Sequence, residues 1–112
     1  MQLSQENFSA NALSRLMSYN LDKRLEEEII SVAKKNNVEK LFLFGSRARG
    51  DNHKRSDIDL AVKGGNITNF YFDIEEEVST LLSFDVVDID DTISKTLQAE
   101  IKRDGVLIYE KI

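Results

Sequence analysis

The sequence predicts a small α/β sandwich, a mixed sheet of about four strands with helices packed on it. Two observations carry this expectation. Segments whose apolar residues recur at helical spacing alternate along the chain with short segments that are apolar throughout or repeat every second position. The 112 residues also contain no proline, no low-complexity run and no internal repeat, so they read as one domain around one core, without an internal linker.

The elements follow in order. Residues 1–8 are polar, and from Ser9 onward Leu13, Leu16 and Met17 suit a short amphipathic helix. Residues 1–20 are set apart as an N-terminal extension, and 21–112 as the folded domain. Leu21, Leu25, Ile29, Val32 and Ala33 form an apolar stripe with Glu26, Glu27, Lys34 and Lys35 mostly off it, which predicts a helix ending at Asn36-Asn37. Leu41–Phe44 is a short apolar strand that stops at Gly45, and a helical turn opens at Ser46. From Ser56 to Lys63 the pattern alternates, with Ile58, Leu60 and Val62 on one face and Asp57, Asp59 and Ala61 on the other. After the Gly64-Gly65-Asn66 turn, Phe70, Ile74, Val78 and Leu81 mark a second helix. Phe84–Ile89 is a third strand with Asp85, Val87 and Ile89 on one face. Asp90 or Asp91 is placed to cap a helix that buries Ile93, Leu97 and Ile101, with Lys102 and Arg103 in its last turn and Gly105 just beyond. Val106–Glu110 closes the sheet.

Composition narrows the function classes. A net charge of −5 argues against a broad surface for long nucleic acid, which needs clustered Lys and Arg. No window approaches the ~20 apolar residues of a membrane span, and the N-terminus lacks the apolar core of a signal peptide. The absence of cysteine removes disulfides and thiolate metal sites and fits a reducing, cytoplasmic setting.

The chemistry concentrates between residues 45 and 85. Strand periodicity points Asp57 and Asp59 the same way, about 6–7 Å apart. Like charges that close repel, and a hard divalent cation removes the repulsion. A lone Asp-x-Asp also reads as a solvated strand end. Gly45-Ser46 shifts the balance, because a glycine after a strand admits a close ligand and a serine opening a helical turn offers a hydroxyl and unpaired N–H groups to phosphate. Arg47, Arg49, Lys54 and Arg55 put positive charge around the same loop. Neither a Walker A loop nor a Gly-x-Gly-x-x-Gly turn is present. Asp85 stands alone in an otherwise apolar strand. If that strand neighbours the one carrying Asp57 and Asp59, three carboxylates converge beside a phosphate-binding turn, which suits two-metal phosphoryl or nucleotidyl transfer.

Gly45-Ser46, ten residues, then Asp57-Ile58-Asp59 resembles the signature of the DNA polymerase beta-like nucleotidyltransferase superfamily. The strings "FGSRARG…SDIDLAV", "FDVVDID" and "LQAEIKRDGVLIYEK" resemble its minimal nucleotidyltransferase branch, often paired with a HEPN-domain partner in toxin–antitoxin systems. The resemblance covers residues from about 21 to 112. It implies the polymerase beta palm-like fold, ATP as substrate and two Mg²⁺ ions. Gly45 and Ser46 would hold the triphosphate, with Arg47 and Arg49 neutralising phosphate charge. Asp57 and Asp59 would be shared metal ligands, and Asp85 the third carboxylate. Asp88 is the rival for that third place, but strand periodicity puts it on the opposite face.

By resemblance the activity is transfer of AMP to a hydroxyl, most naturally a tyrosine of a HEPN-type toxin. Two other readings stay open. One is a non-catalytic antitoxin that binds nucleotide and acts by complex formation. The other is a transferase acting on a small molecule such as an antibiotic. A second copy of the chain is a further possible partner, since no acceptor-binding domain follows the sheet. His53 reads as a surface-loop residue, Glu75–Glu77 as a solvated helix face, and Tyr109 as packing. Among the aromatics at 70–72, Phe70 reads as core and one of Tyr71 and Phe72 as a candidate partner contact.

Overall fold

The computed structural model describes residues 19–112. The helix expected around Leu13, Leu16 and Met17 lies outside them. Eight elements follow one another: α1 (Lys23–Lys35), β1 (Lys40–Phe44), α2 (Gly45–Arg49), β2 (Ile58–Lys63), α3 (Ile67–Glu77), β3 (Phe84–Asp88), α4 (Lys95–Asp104) and β4 (Val106–Glu110). The four strands form one mixed sheet in the order β3-β2-β1-β4. β1 runs antiparallel to both β2 and β4, whereas β2 and β3, joined through α3, are parallel. This is the α/β architecture the alternating periodicities predict.

One face of the sheet is the core. Leu41 and Leu43 register against Val62 and Leu60, and all four are fully buried with Ile29, Ile58, Phe70 and Ile74. Each such side chain contributes roughly 1.5–3 kcal/mol by leaving water, so α1, α3 and this face hold the domain together. α1 starts where Asp22 accepts a hydrogen bond from the Leu25 N–H at 3.3 Å. It ends at Asn36, whose buried amide donates to Val32 O and to Asp73 Oδ2 of α3, each at 3.0 Å. Lys35 adds ion pairs to Asp73 and Glu77.

Three local expectations are corrected. Leu81 does not extend the stripe of α3; it is fully exposed, and Leu82 packs on the core instead. The helix ends because Val78 turns extended and polar groups capture the next amides. Glu28 Oε1 accepts from Ser79 N–H at 2.8 Å, and Thr80 Oγ1 accepts from Leu82 N–H at 3.1 Å. Neither Asp90 nor Asp91 caps α4. Ser94 does, accepting from Leu97 N–H at 3.1 Å, while Asp90 pairs with Lys63 and Asp91 accepts from Thr92 N–H. The apolar side of α4 is also only half-buried at Ile93, Leu97 and Ile101, and the one buried residue of the helix is Asp104.

Candidate active site

The second sheet face is built differently. Phe44 of β1 registers with Asp59 of β2, and Asp59 with Asp85 of β3, so the two aspartates occupy neighbouring positions on adjacent parallel strands and share a face. Asp57 lies just before β2, and it and Asp85 are exposed while Asp59 is half-buried. Asp88 registers with Val62 on the core side, and its Oδ1 accepts from Asp90 N–H at 2.9 Å. The chain thus places Asp85, and not Asp88, beside Asp59.

Gly45 presses against the same carboxylate. Its φ is +74°, and a Cβ built there would lie 2.2 Å from Asp59 Oδ2. Glycine is required twice over, for a left-handed backbone and for contact with Asp59. The chain leaves β1, turns over Asp59 and enters the five-residue α2, with half-buried Ser46 in its first turn.

The electrostatics of Asp59 report the crowding. Burial first, then the negative charges of Asp85, Asp57 and Glu100, push its pKa from 3.8 to about 6, with Arg49 pulling the other way. Glu100 is a fourth carboxylate that the sequence reading did not single out. It lies on α4, which contacts both α2 and β1.

The two arginines of the turn differ. Arg47 is buried and spends its guanidinium on backbone carbonyls, donating from Nε to Ser56 O at 3.1 Å, from Nη2 to Lys54 O at 3.1 Å and from Nη1 to Asn20 O at 3.4 Å. It clamps the loop that delivers Asp57 onto β2. Arg49 is partly exposed and donates from Nε to Asp51 Oδ2 at 3.1 Å and from Nη1 to Asp104 Oδ2 at 2.8 Å. Asp104 accepts from Arg103 as well, and these two arginines hold its pKa below the usual carboxylate range. His53 is exposed in the loop, as are Tyr71 and Phe72 on α3, whereas Phe70 is fully buried.

Among the described residues, no three His, Asp or Glu side chains are gathered as a ready-made metal cage. The chemistry of the donor set nevertheless fits a hard divalent cation. The candidate ligands are all carboxylates, and Asp59 carries a negative charge that its neighbours resist. Mg²⁺ commonly takes one or two carboxylates and completes its shell with phosphate and water.

Comparison with known proteins gives the same direction. Residues 27–112 match the family model described as polymerase beta, nucleotidyltransferase. No curated protein matches the chain. Among solved structures, one described as a toxin–antitoxin with AMP-PNP is similar, at 28% identity over 77% of this chain and 73% of that chain, with a TM-score of 0.60. Two mutants of a toxin–antitoxin called MntA-HpeT are similar as well. They share 26% and 25% identity over 77% and 82% of this chain and 73% and 75% of theirs, with TM-scores of 0.59 and 0.61.

Proposed function

The chain belongs to the polymerase beta nucleotidyltransferase family, and from that premise we propose that it transfers AMP from ATP to a hydroxyl of a HEPN-type toxin partner in the cytoplasm, and so acts as an antitoxin. The observation that carries this reading is the register of Asp59 with Asp85 beneath Gly45. A glycine turn packed directly on one carboxylate, with a second carboxylate in register beside it, brings the start of α2 and the acidic pair together as nucleotidyl transfer needs. Likeness to toxin–antitoxin structures, one of them with AMP-PNP, supports the partner and nucleotide classes.

In this reading Gly45 and Ser46 receive the triphosphate at the start of α2, and the charge of Arg49 offsets part of the phosphate charge. Asp57 and Asp59 would hold divalent cations shared with the phosphates, and Asp85 would complete the set on the acceptor side. Such cations, when bound, neutralise the carboxylates and polarise the phosphate oxygens. Asp85 would orient the acceptor hydroxyl, with its carboxylate as the candidate base for the hydroxyl proton. The bond from acceptor oxygen to the α-phosphorus forms as the bond to pyrophosphate breaks. Arg47 contributes by fixing the 50–57 loop, and with it Asp57, because positioning carries much of the rate in phosphoryl chemistry.

The test is incubation with Mg²⁺ and ATP labelled at the α-phosphate, with and without the product of the neighbouring gene as candidate acceptor. Label on the partner that disappears with Asp57→Asn supports the proposal. A tight complex without label would replace it with inhibition by contact, titrating one for one. Label on a small molecule in the absence of any protein partner would move the acceptor to that class.

A further inference from the structure

We propose that Asp104 is a positioning residue of the transfer site, holding the Arg49 guanidinium at the turn after β1 in the orientation in which its charge meets the bound triphosphate. This rests on the nucleotidyl-transfer reading above and adds to it a residue at the far end of the chain.

Asp104 is in an unfavourable place for a carboxylate. It ends α4, where the helix dipole disfavours negative charge, and it is only 6% exposed. A buried ionic group is a poor source of stability compared with an apolar one of similar size. Its partners show what it does there. Oδ2 takes Arg49 Nη1 at 2.8 Å and Arg103 Nη2 at 3.0 Å, and Oδ1 takes Arg103 Nε at 3.0 Å. Asp51 takes Arg49 Nε at 3.1 Å. Carboxylates from two separate segments therefore fix the plane of the Arg49 guanidinium, while α4 packs against α2.

The charges are also matched. Asp51 and Asp104 together would overcompensate Arg49, but Arg103 supplies a second positive charge to Asp104. The four charges then sum to zero, so no excess negative charge is left beside the turn, and the Arg49 charge still reaches Asp59, where it opposes the surrounding carboxylates. A lysine at position 49 would retain the charge without the planar fork that two carboxylates can grip.

The experiment is titration calorimetry of the full chain with Mg²⁺ and AMP-PNP, with thermal melts to check each variant. Asp104→Asn is expected to weaken binding about 5- to 20-fold, and Arg49→Gln at least as much. In the double variant the Asp104→Asn loss should vanish, because it acts through Arg49. An undiminished loss in the Arg49→Gln background would overturn the proposal, since Asp104 would then act elsewhere. Should Asp104→Asn not fold, Arg49→Lys decides. A loss close to that of Arg49→Gln supports orientation by carboxylates, and wild-type affinity overturns it. Absence of binding by the wild-type chain would instead overturn the nucleotidyl-transfer reading, and this inference with it.

Discussion

Asp59→Asn should make the cation-free protein more stable at neutral pH while abolishing transfer. Asp59 has its pKa raised from 3.8 to about 6, by burial first and then by Asp85, Asp57 and Glu100. A carboxyl whose folded value exceeds its unfolded value favours the fold most below about pH 4, where it is neutral in both states. That contribution is lost as pH rises through about 6. The full climb corresponds to about 3 kcal/mol. Because Asp59 is half-buried and water screens part of the repulsion, about 1–2 kcal/mol is the expected gain from removing the charge. For a domain of this size that is roughly 4–10 °C in melting temperature. Melts in chelator at pH 7.5 and pH 4.5 measure it. The variant should lead at pH 7.5, the gap should narrow to about a third of that at pH 4.5, and added Mg²⁺ should stabilise the wild type more than the variant. A variant no more stable than wild type at pH 7.5, or a gain of the same size at pH 4.5, would refute the reasoning.

Three other perturbations follow from the geometry. Gly45→Ala drives a Cβ to 2.2 Å from Asp59 Oδ2 at a left-handed φ, so transfer should fall at least about 100-fold even in a sample whose circular dichroism is native. Arg47→Met leaves three carbonyls without their donor, and urea denaturation should show a loss of about 2–4 kcal/mol. Asp85→Asn should cut labelled-AMP transfer at least about 100-fold, whereas Asp88→Asn, which touches only the turn at Asp90, should leave it near wild type; equal losses would remove Asp85 from its assigned place.

How far the sequence foretold the site depends on whether a local rule governs the residue. Period-two alternation is local, so Asp57 and Asp59 could be assigned to one face of their strand, and Asp85 to the face of its own strand opposite Asp88, before any coordinates. Their adjacency depended on β2 and β3 being neighbours, which the expected sheet allowed and the parallel register supplies. Arg47 and Arg49 sit two positions apart in a basic run and look equivalent there. Only the tertiary arrangement separates them, turning one inward onto carbonyls 7, 9 and 27 residues away and leaving the other between Asp51 and Asp104. Asp104 did leave a trace in the sequence, an acid in the last turn of a helix, where a cation is the stable choice. The end of α3 failed for a similar reason. Leu81 continues the helical spacing, but capture of the Ser79 amide by Glu28 is a contact across 51 residues that periodicity cannot register.

The two faces of the sheet also bear on how the partner is used. One face is sealed by α1 and α3 around fully buried aliphatic side chains, which leaves the other to tolerate a group as unfavourable as Asp59. That second face is not closed: Asp57 and Asp85 are exposed, and α4 covers it with a side that is itself only half-buried. Water would therefore compete with the acceptor hydroxyl in the proposed transfer unless something else excludes it. In the proposed reading the toxin partner would supply that wall. A partner whose acceptor hydroxyl has been removed should then slow the release of free AMP from α-labelled ATP below the rate of the domain alone, because it covers the site without consuming nucleotide. AMP release that is unchanged or faster with such a partner would mean that the partner does not close over these carboxylates.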